Sequence, residues 1–465
     1  MNNIKLGFYG ATGNVTGSCY LLQANGMNIL VDCGLYQEHD LKDRNWGKFP
    51  IPPETLDAVV LTHAHLDHCG RIPRLVLQGY DGPVYCTAAT ADIAQIVMED
   101  CGKINEEDAA FKRVRHAREG RKGPHTDEPL YTMDDAQEAG KNFVAVDFDR
   151  PLELGEGVSV EFVTVGHILG AAACRFVITQ GKESRTIVFS GDVGRWDMPI
   201  LQDPAIIGPV DYLVVESTYG DRVHGETASI PDELAKIVNE TADAGGNLLI
   251  PSFAVERTQE LLYFLALLSA DNRIPKLRIY VDSPMATKVN TVFAHHPYLF
   301  DSETTRMART VKVSNVSVVR SAADSKSLNH IRGSVIIISG SGMCTGGRIK
   351  HHLCHNIGNP AATVLFVGYQ ASNTLGRQIL DGNKTVRILG EEYDVKARIE
   401  RITGFSAHAD QKELLRWMDS IPNTPRQVFV THGEPRAAEA LQQQILSIKG
   451  WDATVPRYQQ TVTLD

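Results

Sequence analysis

Apolar and polar positions along the chain fall into two styles. Up to about residue 215, short apolar runs are separated by turn residues. NNIKLGFYG (2–10), CYLLQANGMNILVDCG (19–34) and AVVLTHAH (58–65) read as strands with Gly and Asn at their turns. VSVEFVTVGH (158–167), RTIVFSGDVG (185–194) and DYLVVESTYG (211–220) read the same way, whereas residues 91–117 carry helical spacing. Beyond this point continuous Val/Ile/Leu runs alternate with helices. NLLIPSF, RIYVDSP, GSVIIIS and ATVLFVG predict buried parallel strands, and PDELAKIVNETADAGG, ERTQELLYFLALLSA and MATKVNTVFAHH the helices between them. From about 393 the chain holds VKARIERITGFSAHAD, a helix at QKELLRWMDSI, the strand RQVFVTHGEP and a last helix.

Polar residues collect where the apolar runs stop. The run ending at Leu61 is followed by THAHLDHCG, which puts His63, His65, Asp67 and His68 within six positions. Buried together without a partner, these groups would cost several kcal/mol of lost hydration. At the end of a buried strand they are delivered to one point by a rigid sheet, which argues for a metal site. Further Asp, Glu and His residues end other runs: Asp32, His167, Asp192, Glu216, His408 and His432. An Asp after a strand more commonly closes a turn or caps a helix, but six such positions beside the cluster exceed turn chemistry. Imidazole and carboxylate donors suit two zinc ions, with manganese or iron also compatible. A bridging carboxylate would hold the two ions roughly 3.5–4 Å apart, an arrangement that activates water for displacement at phosphorus.

The remaining features refine this picture. Hydrophobic residues make up 43% and charged residues 22% of the 465, an ordinary balance for a globular protein of two or three domains. No apolar run approaches the roughly 20 residues needed to span a bilayer, and the opening segment has no apolar core typical of a secretion signal. The eight cysteines lack CxxC spacing, and Cys33, Cys69 and Cys174 sit beside candidate ligands. This predicts reduced thiols in a cytoplasmic protein, none of them a ligand. The net charge of −10 argues against binding nucleic acid through a bulk positive field. Positive charge must then be local. One candidate is FKRVRHAREGRK (111–122), with Lys112, Arg113, Arg115, Arg118, Arg121 and Lys122; it reads either as a solvated helix face or as a contact strip for a polyanion. Three loops could meet phosphate: IPSFAVER with Ser252 and Arg257, SGSGMCTGGR with Ser341, Gly342 and Arg348, and GYQASNTLGR with Arg377. Each also reads as an ordinary turn after a buried strand. The other histidines (His39, His116, His125, His224, His295, His296, His330, His351, His352, His355) are expected to be surface or structural. His351, His352 and His355 have helical spacing but no accompanying carboxylate in the sequence.

HxHxDH followed by a distant His and then an Asp resembles the metallo-β-lactamase fold, as do LVDCG (30–34) and the glycine-rich FYGATGNVTGSCYLL (8–22). ESTYGDRVH, GFSAHAD and FVTHGE resemble the additional motifs of its β-CASP branch, and PSFAVERTQE and SGSGMCTGGR resemble the inserted β-CASP domain. The resemblance implies a metallo-β-lactamase αββα sandwich over residues 1–216 and 393–465, with a β-CASP α/β domain inserted at 217–392 and the active site in the groove between them. It further implies that His63, His65, His167 and Asp192 hold one zinc, and that Asp67, His68, Asp192 and His432 hold the other. Asp32 would orient a ligand from behind. Asp67, His408 and Glu216 would serve catalysis, with Glu216 keeping His408 charged to face the scissile phosphate. In the family a His at the position of His432 marks RNA-processing members, similar to the cleavage and polyadenylation endonuclease subunit. The expected activity is thus a zinc-dependent ribonuclease, endo- or exonucleolytic, hydrolysing single-stranded RNA with two-metal activation of water. It needs no membrane, and a homodimer is compatible with it. The alternatives are a thioesterase- or lactonase-type hydrolase of the same fold and a non-catalytic RNA-processing scaffold.

Overall fold

The computed structural model describes residues 4–120, 123, 127–225, 229–310, 315–331, 333–368, 370 and 373–465. Arg121, Lys122 and His125, and Tyr369, Ala371 and Ser372 of the third glycine loop, lie outside the described residues. The chain divides into two compact units, one formed by 1–196, 203–223 and 408–465, the other by 197–202 and 224–407.

The first unit is built on two seven-stranded sheets. In one, Ile4–Phe8, Tyr20–Ala24 and Met27–Val31 run antiparallel; Ala58–Val60, Val84–Thr87 and Phe143–Val146 then add in parallel. The other carries Leu152–Gly155, Val158–Thr164, Ala172–Gln180 and Glu183–Phe189 antiparallel, followed by Tyr212–Val215 in parallel. The C-terminal segment completes both. Gln427–Val430 pairs in parallel with Tyr212–Val215, and Gln460–Leu464 pairs antiparallel with Ile4–Phe8. Period-two alternation puts Leu6, Phe8, Leu22, Phe162, Phe176, Phe189 and Phe429 into one apolar layer between the sheets. The helix Ala88–Glu119 packs outside the first sheet and Pro435–Gln444 outside the second, giving the expected αββα layering.

The second unit is organised on a six-stranded, all-parallel sheet. Its order is Val316–Val318, Arg278–Asp282, Val335–Ser339, Leu248–Pro251, Thr363–Phe366, Arg398–Arg401. Separate apolar clusters bury its two faces, which is why Leu248–Pro251, Val335–Ser339 and Thr363–Phe366 are apolar at nearly every position. The strand Arg398–Arg401 pairs with Thr363–Phe366, so this sheet runs past the expected division at 392. Alternation of charged and apolar residues in ARIER masks a partly exposed edge strand.

Phe176 is fully buried between the sheets, and its ring meets that of Phe189 edge-on at 5.6 Å. Phe176→Ala should destabilise the first unit by about 3–5 kcal/mol through lost burial and the cavity left behind. All four tryptophans (Trp46, Trp196, Trp417, Trp451) belong to that unit, so their fluorescence in a denaturant titration reads the loss directly. A loss below about 1 kcal/mol would contradict this account of the core.

Candidate metal centre

Every metal-ligand candidate lies in the first unit, at the end of a strand or just beyond it. Leu61 N donates to Tyr85 O, continuing the sheet past Val60 and fixing where Thr62 and His63 emerge. His65 then precedes the short helix Leu66–Cys69, which carries Asp67 and His68. That helix is stitched to the LVDCG segment, where Cys33 N donates to His68 O at 2.7 Å, and to the glycine-rich segment before it, where Ser18 N donates to Asp67 O at 2.8 Å. Gly34 is needed here because a Cβ at this position would lie 1.7 Å from Asp67 O. Asp32 and His432, at the ends of two strands, both take left-handed backbone with φ of 58° and 49°. Such strain in residues other than glycine concentrates at functional positions.

The side chains converge as two sets on either side of Asp192. In the first, His65 Nδ1 lies 3.1 Å from His63 Nε2 and 3.1 Å from His167 Nε2. Asp192 Oδ2 is 3.2 Å from His63 Nε2 and 3.5 Å from His167 Nε2. In the second, His68 Nε2 and His432 Nε2 are 3.0 Å apart, and Asp67 Oδ2 is 3.4 Å from His432 Nε2. Asp192 Oδ1 faces this set at 3.4 Å from His68 and 3.6 Å from His432. Asp192, His63, His68, His167 and His432 are all buried.

Neighbouring groups decide which ring nitrogens carry protons. Asp32 accepts from Thr62 N at 2.8 Å and from Thr62 Oγ1 at 2.9 Å, and its Oδ2 lies 2.7 Å from His68 Nδ1. His68 therefore carries its proton on Nδ1. The Thr62 hydroxyl proton is given to Asp32, so Thr62 Oγ1 accepts from His63 Nδ1 at 3.1 Å. Likewise Thr218 Oγ1 donates to His432 O at 3.2 Å and accepts from His432 Nδ1 at 3.0 Å. In all three rings the outer Nδ1 is thus committed, and Nε2 is the atom that faces the centre. Sequence reasoning missed Thr62 and Thr218; Thr62 offered a signal by directly preceding His63, whereas Thr218 offered none.

The electrostatics differ between the two sets: burial works against charge on His68 and His432, yet Asp192 and Asp32 raise His68 well above the ordinary histidine value, and Asp192 and Asp67 raise His432, so without a cation these two rings hold a second proton. Burial pushes His63 down to about 3, His65 down to about 4 and His167 well below the ordinary histidine value, so these rings are neutral. Burial opposes the charged form of Asp192, but His432, His68 and His63 outweigh it and hold its pKa well below the carboxylate range. Glu216 accepts from Val193 N at 2.7 Å and holds His408 Nδ1 at 3.3 Å. Burial works against charge on His408, yet Glu216 and Asp192 raise its pKa to about 9. The His408 ring lies 4.5 Å from that of His167.

The donor set fits a divalent cation. Ring nitrogens about 3 Å from one another need a proton or a cation between them, and the buried Asp192 Oδ1 accepts no hydrogen bond. Within each of three groups, ligand atoms lie within 4.8 Å of one another: His63, His65, His167 and Asp192; Asp67, His68 and His432; Asp192, Glu216 and His432. The nearby thiols are not part of it: burial raises the pKa of Cys33, Cys69 and Cys174, and Cys69 Sγ donates to Ala64 O.

The expected phosphate contacts belong to the second unit and are not gathered in the same way. Ser252 is buried, with its hydroxyl turned to Thr258 and Phe253 O, and the helix begins only at Arg257. Arg257 is buried and paired with Glu260. Arg348 pairs with Asp282 at 2.6 Å and donates to Val319 O and Arg320 O. Ser341 Oγ accepts from Thr345 N and Gly346 N within its own loop, and exposed Arg377 pairs with Asp381. The histidine triplet needs a correction: buried His352 does have a carboxylate, Asp282 of the neighbouring strand Arg278–Asp282, at 2.6 Å. That partner is distant in sequence, so helical spacing could not reveal it. On the helix Ala88–Glu119, Arg113 and Arg115 have surface partners in Glu128 and Glu119.

Comparison with known proteins adds independent evidence. Residues 12–212 match the metallo-beta-lactamase superfamily, 258–379 the Beta-Casp domain, and 392–456 the Zn-dependent metallo-hydrolase RNA specificity domain. The chain is 38% identical over 454 residues to ribonuclease TTHA0252 of Thermus thermophilus, covering 97% of each. It is 31% identical to the transcription termination factor FttA of Methanocaldococcus jannaschii, over 93% of this chain and 67% of that one. A crystal structure of a protein of unknown function from Enterococcus faecalis V583 is alike in fold, with a TM-score of 0.55 at 12% identity, over 99% of this chain and 100% of that one.

Asp32→Asn tests the proton assignments. With its oxygen kept on Thr62 N, the new amide would present N–H to His68 Nδ1 and drive the ring proton to Nε2, where it blocks coordination. Metal affinity, measured by competition with a chelator, should fall roughly 10–100-fold with an unchanged circular-dichroism spectrum. Parental affinity in this variant would refute the orienting role of Asp32.

Proposed function

Because the chain belongs to the β-CASP branch of the metallo-β-lactamase superfamily, we propose that it is a metal-dependent ribonuclease that hydrolyses phosphodiester bonds of single-stranded RNA. The observation that carries this reading is Asp192, whose two oxygens face two separate sets of imidazole nitrogens. One divalent cation would be held by His63, His65, His167 and Asp192, the second by Asp67, His68, His432 and the same Asp192. Zinc suits this mixture of nitrogen and carboxylate donors, and manganese or iron would also be accepted. Such a pair supplies Lewis acidity, which lowers the pKa of water and offsets charge on phosphoryl oxygens.

The protein's own groups supply orientation and proton transfer. Asp32, Thr62 and Thr218 hold His63, His68 and His432 in the ligating tautomer. Glu216 fixes His408 through Nδ1, so a proton delivered to the leaving oxygen would come from Nε2. RNA as the substrate is supported by the match to an RNA specificity domain and by the similarity to ribonuclease TTHA0252. Among the anion contacts, Ser341, Gly342 and Arg377 remain as candidates. Ser252 and Arg257 are buried and Arg348 is held by buried Asp282, which favours a role in shaping their loops. Eight unpaired cysteines fit a reducing, cytoplasmic setting. No described helix is long and apolar enough to cross a membrane.

Asp67→Ala and His68→Ala should each lower cleavage of a single-stranded oligoribonucleotide by on the order of 10³-fold or more while the thermal melt of the second unit is kept. The same preparations are assayed against thioesters and lactones, which the parental protein should leave intact. RNA cleavage at the parental rate by either variant would overturn the site assignment. Robust thioester or lactone turnover without RNA cleavage would favour a small-substrate hydrolase.

A further inference from the structure

Phe253 is a large apolar residue that the chain holds in the open: it is 41% exposed. It follows Leu248–Pro251, a strand inside the parallel sheet, and so lies at the carboxyl ends of the strands, where α/β sheets bind ligands. Both neighbouring strands, Val335–Ser339 and Thr363–Phe366, run into glycine positions at this same edge. A Cβ at Gly342 would lie 2.7 Å from the Phe253 ring, and one at Gly368 would lie 3.4 Å from it. The ring thus rests on the bare backbone of two loops. Gln370 joins those loops, donating from Nε2 to Gly342 O at 2.9 Å and to Gly368 O at 3.2 Å. Thr258 Oγ1 donates to Phe253 O at 2.7 Å and pins the residue from behind.

Single exposed apolar residues are common and need no explanation. A residue whose ring requires glycine beneath it, and whose supporting loops are tied by a buried amide, is different. The fold has fixed one face of an aromatic ring and left the ring accessible. We propose that Phe253 is a stacking platform for a nucleobase of single-stranded RNA. A phenyl ring has no donor for phosphate, but its π-face accepts any base. Pre-organisation lowers the entropy lost when the base docks. This assignment rests on the ribonuclease reading above and adds a base contact to it.

The test compares the metal-loaded parental protein with Phe253→Ala, Phe253→Leu and Phe253→Trp on one single-stranded oligoribonucleotide. Phe253→Ala and Phe253→Leu should raise KM by on the order of 5- to 150-fold, with kcat changed by less than about twofold and metal content unchanged. Phe253→Trp should restore KM. An abasic nucleotide moved stepwise along the RNA should weaken the parental protein at one position and have no added effect there in Phe253→Ala. Phe253→Leu keeps an apolar side chain on the glycine seat, so a parental KM in that variant would mean that packing, not stacking, is the role. An unchanged KM in Phe253→Ala, or the same abasic profile in both proteins, would also overturn the assignment. If the parental protein neither binds nor cuts RNA, the ribonuclease reading fails and this assignment fails with it; if it cuts and Phe253→Ala matches it, only this assignment fails.

Discussion

The structure of the first unit depends on one electrostatic constraint: Asp192 is buried as a carboxylate among imidazole nitrogens that face it. Placing an anion and so many ring nitrogens out of water is unfavourable unless something positive compensates. Protonation of the rings is one answer and divalent cations are another. Both operate here: the carboxylates favour a proton on His68 and His432 in the absence of metal, and a cation would displace those inner protons. Asp32, Thr62 and Thr218 commit one ring proton each of His63, His68 and His432 to the outer nitrogens, and burial keeps His63, His65 and His167 neutral. What remains at the centre is a set of inner ring nitrogens able to bind a proton or a metal, with one carboxylate shared between two halves.

Sheet topology is what makes this arrangement possible. The two sheets present their strand ends together, and each ligand sits within a few residues of such an end. The most distant pairing in sequence is also the most telling. Gln427–Val430 returns to pair with Tyr212–Val215, which places His432 against His68 across 364 positions of chain. The second unit breaks into the sequence between those two strands without disturbing their register. Its own sheet follows a different rule, parallel and buried on both faces, and it brings glycine loops rather than metal ligands to its strand ends.

Much of this was legible in the residues. The HxHxDH cluster after an apolar run, and single Asp, Glu or His residues closing other runs, located the centre because strands deliver side chains to predictable ends. The parallel sheet of the second unit followed from its continuous apolar runs, whereas the αββα layering of the first came from the resemblance of its motifs. What stayed hidden depended on contacts between residues far apart in the chain. Thr218 carries no signal until His432 is beside it, and Asp282 cannot be seen as the partner of His352 from the helix that carries His352. Arg257 and Arg348 looked like anion contacts because sequence shows a charge but not its internal partner. Arg398–Arg401 escaped as a strand because edge strands carry charge.

The central claim is that Asp192 is shared by two divalent cations. Anomalous diffraction at the zinc edge, from crystals of the protein grown with zinc, tests it most directly. Two peaks should appear, one among His63, His65 and His167 and one among Asp67, His68 and His432, each within coordination distance of a different Asp192 oxygen. A single peak, or two peaks of which neither touches Asp192, would contradict the account.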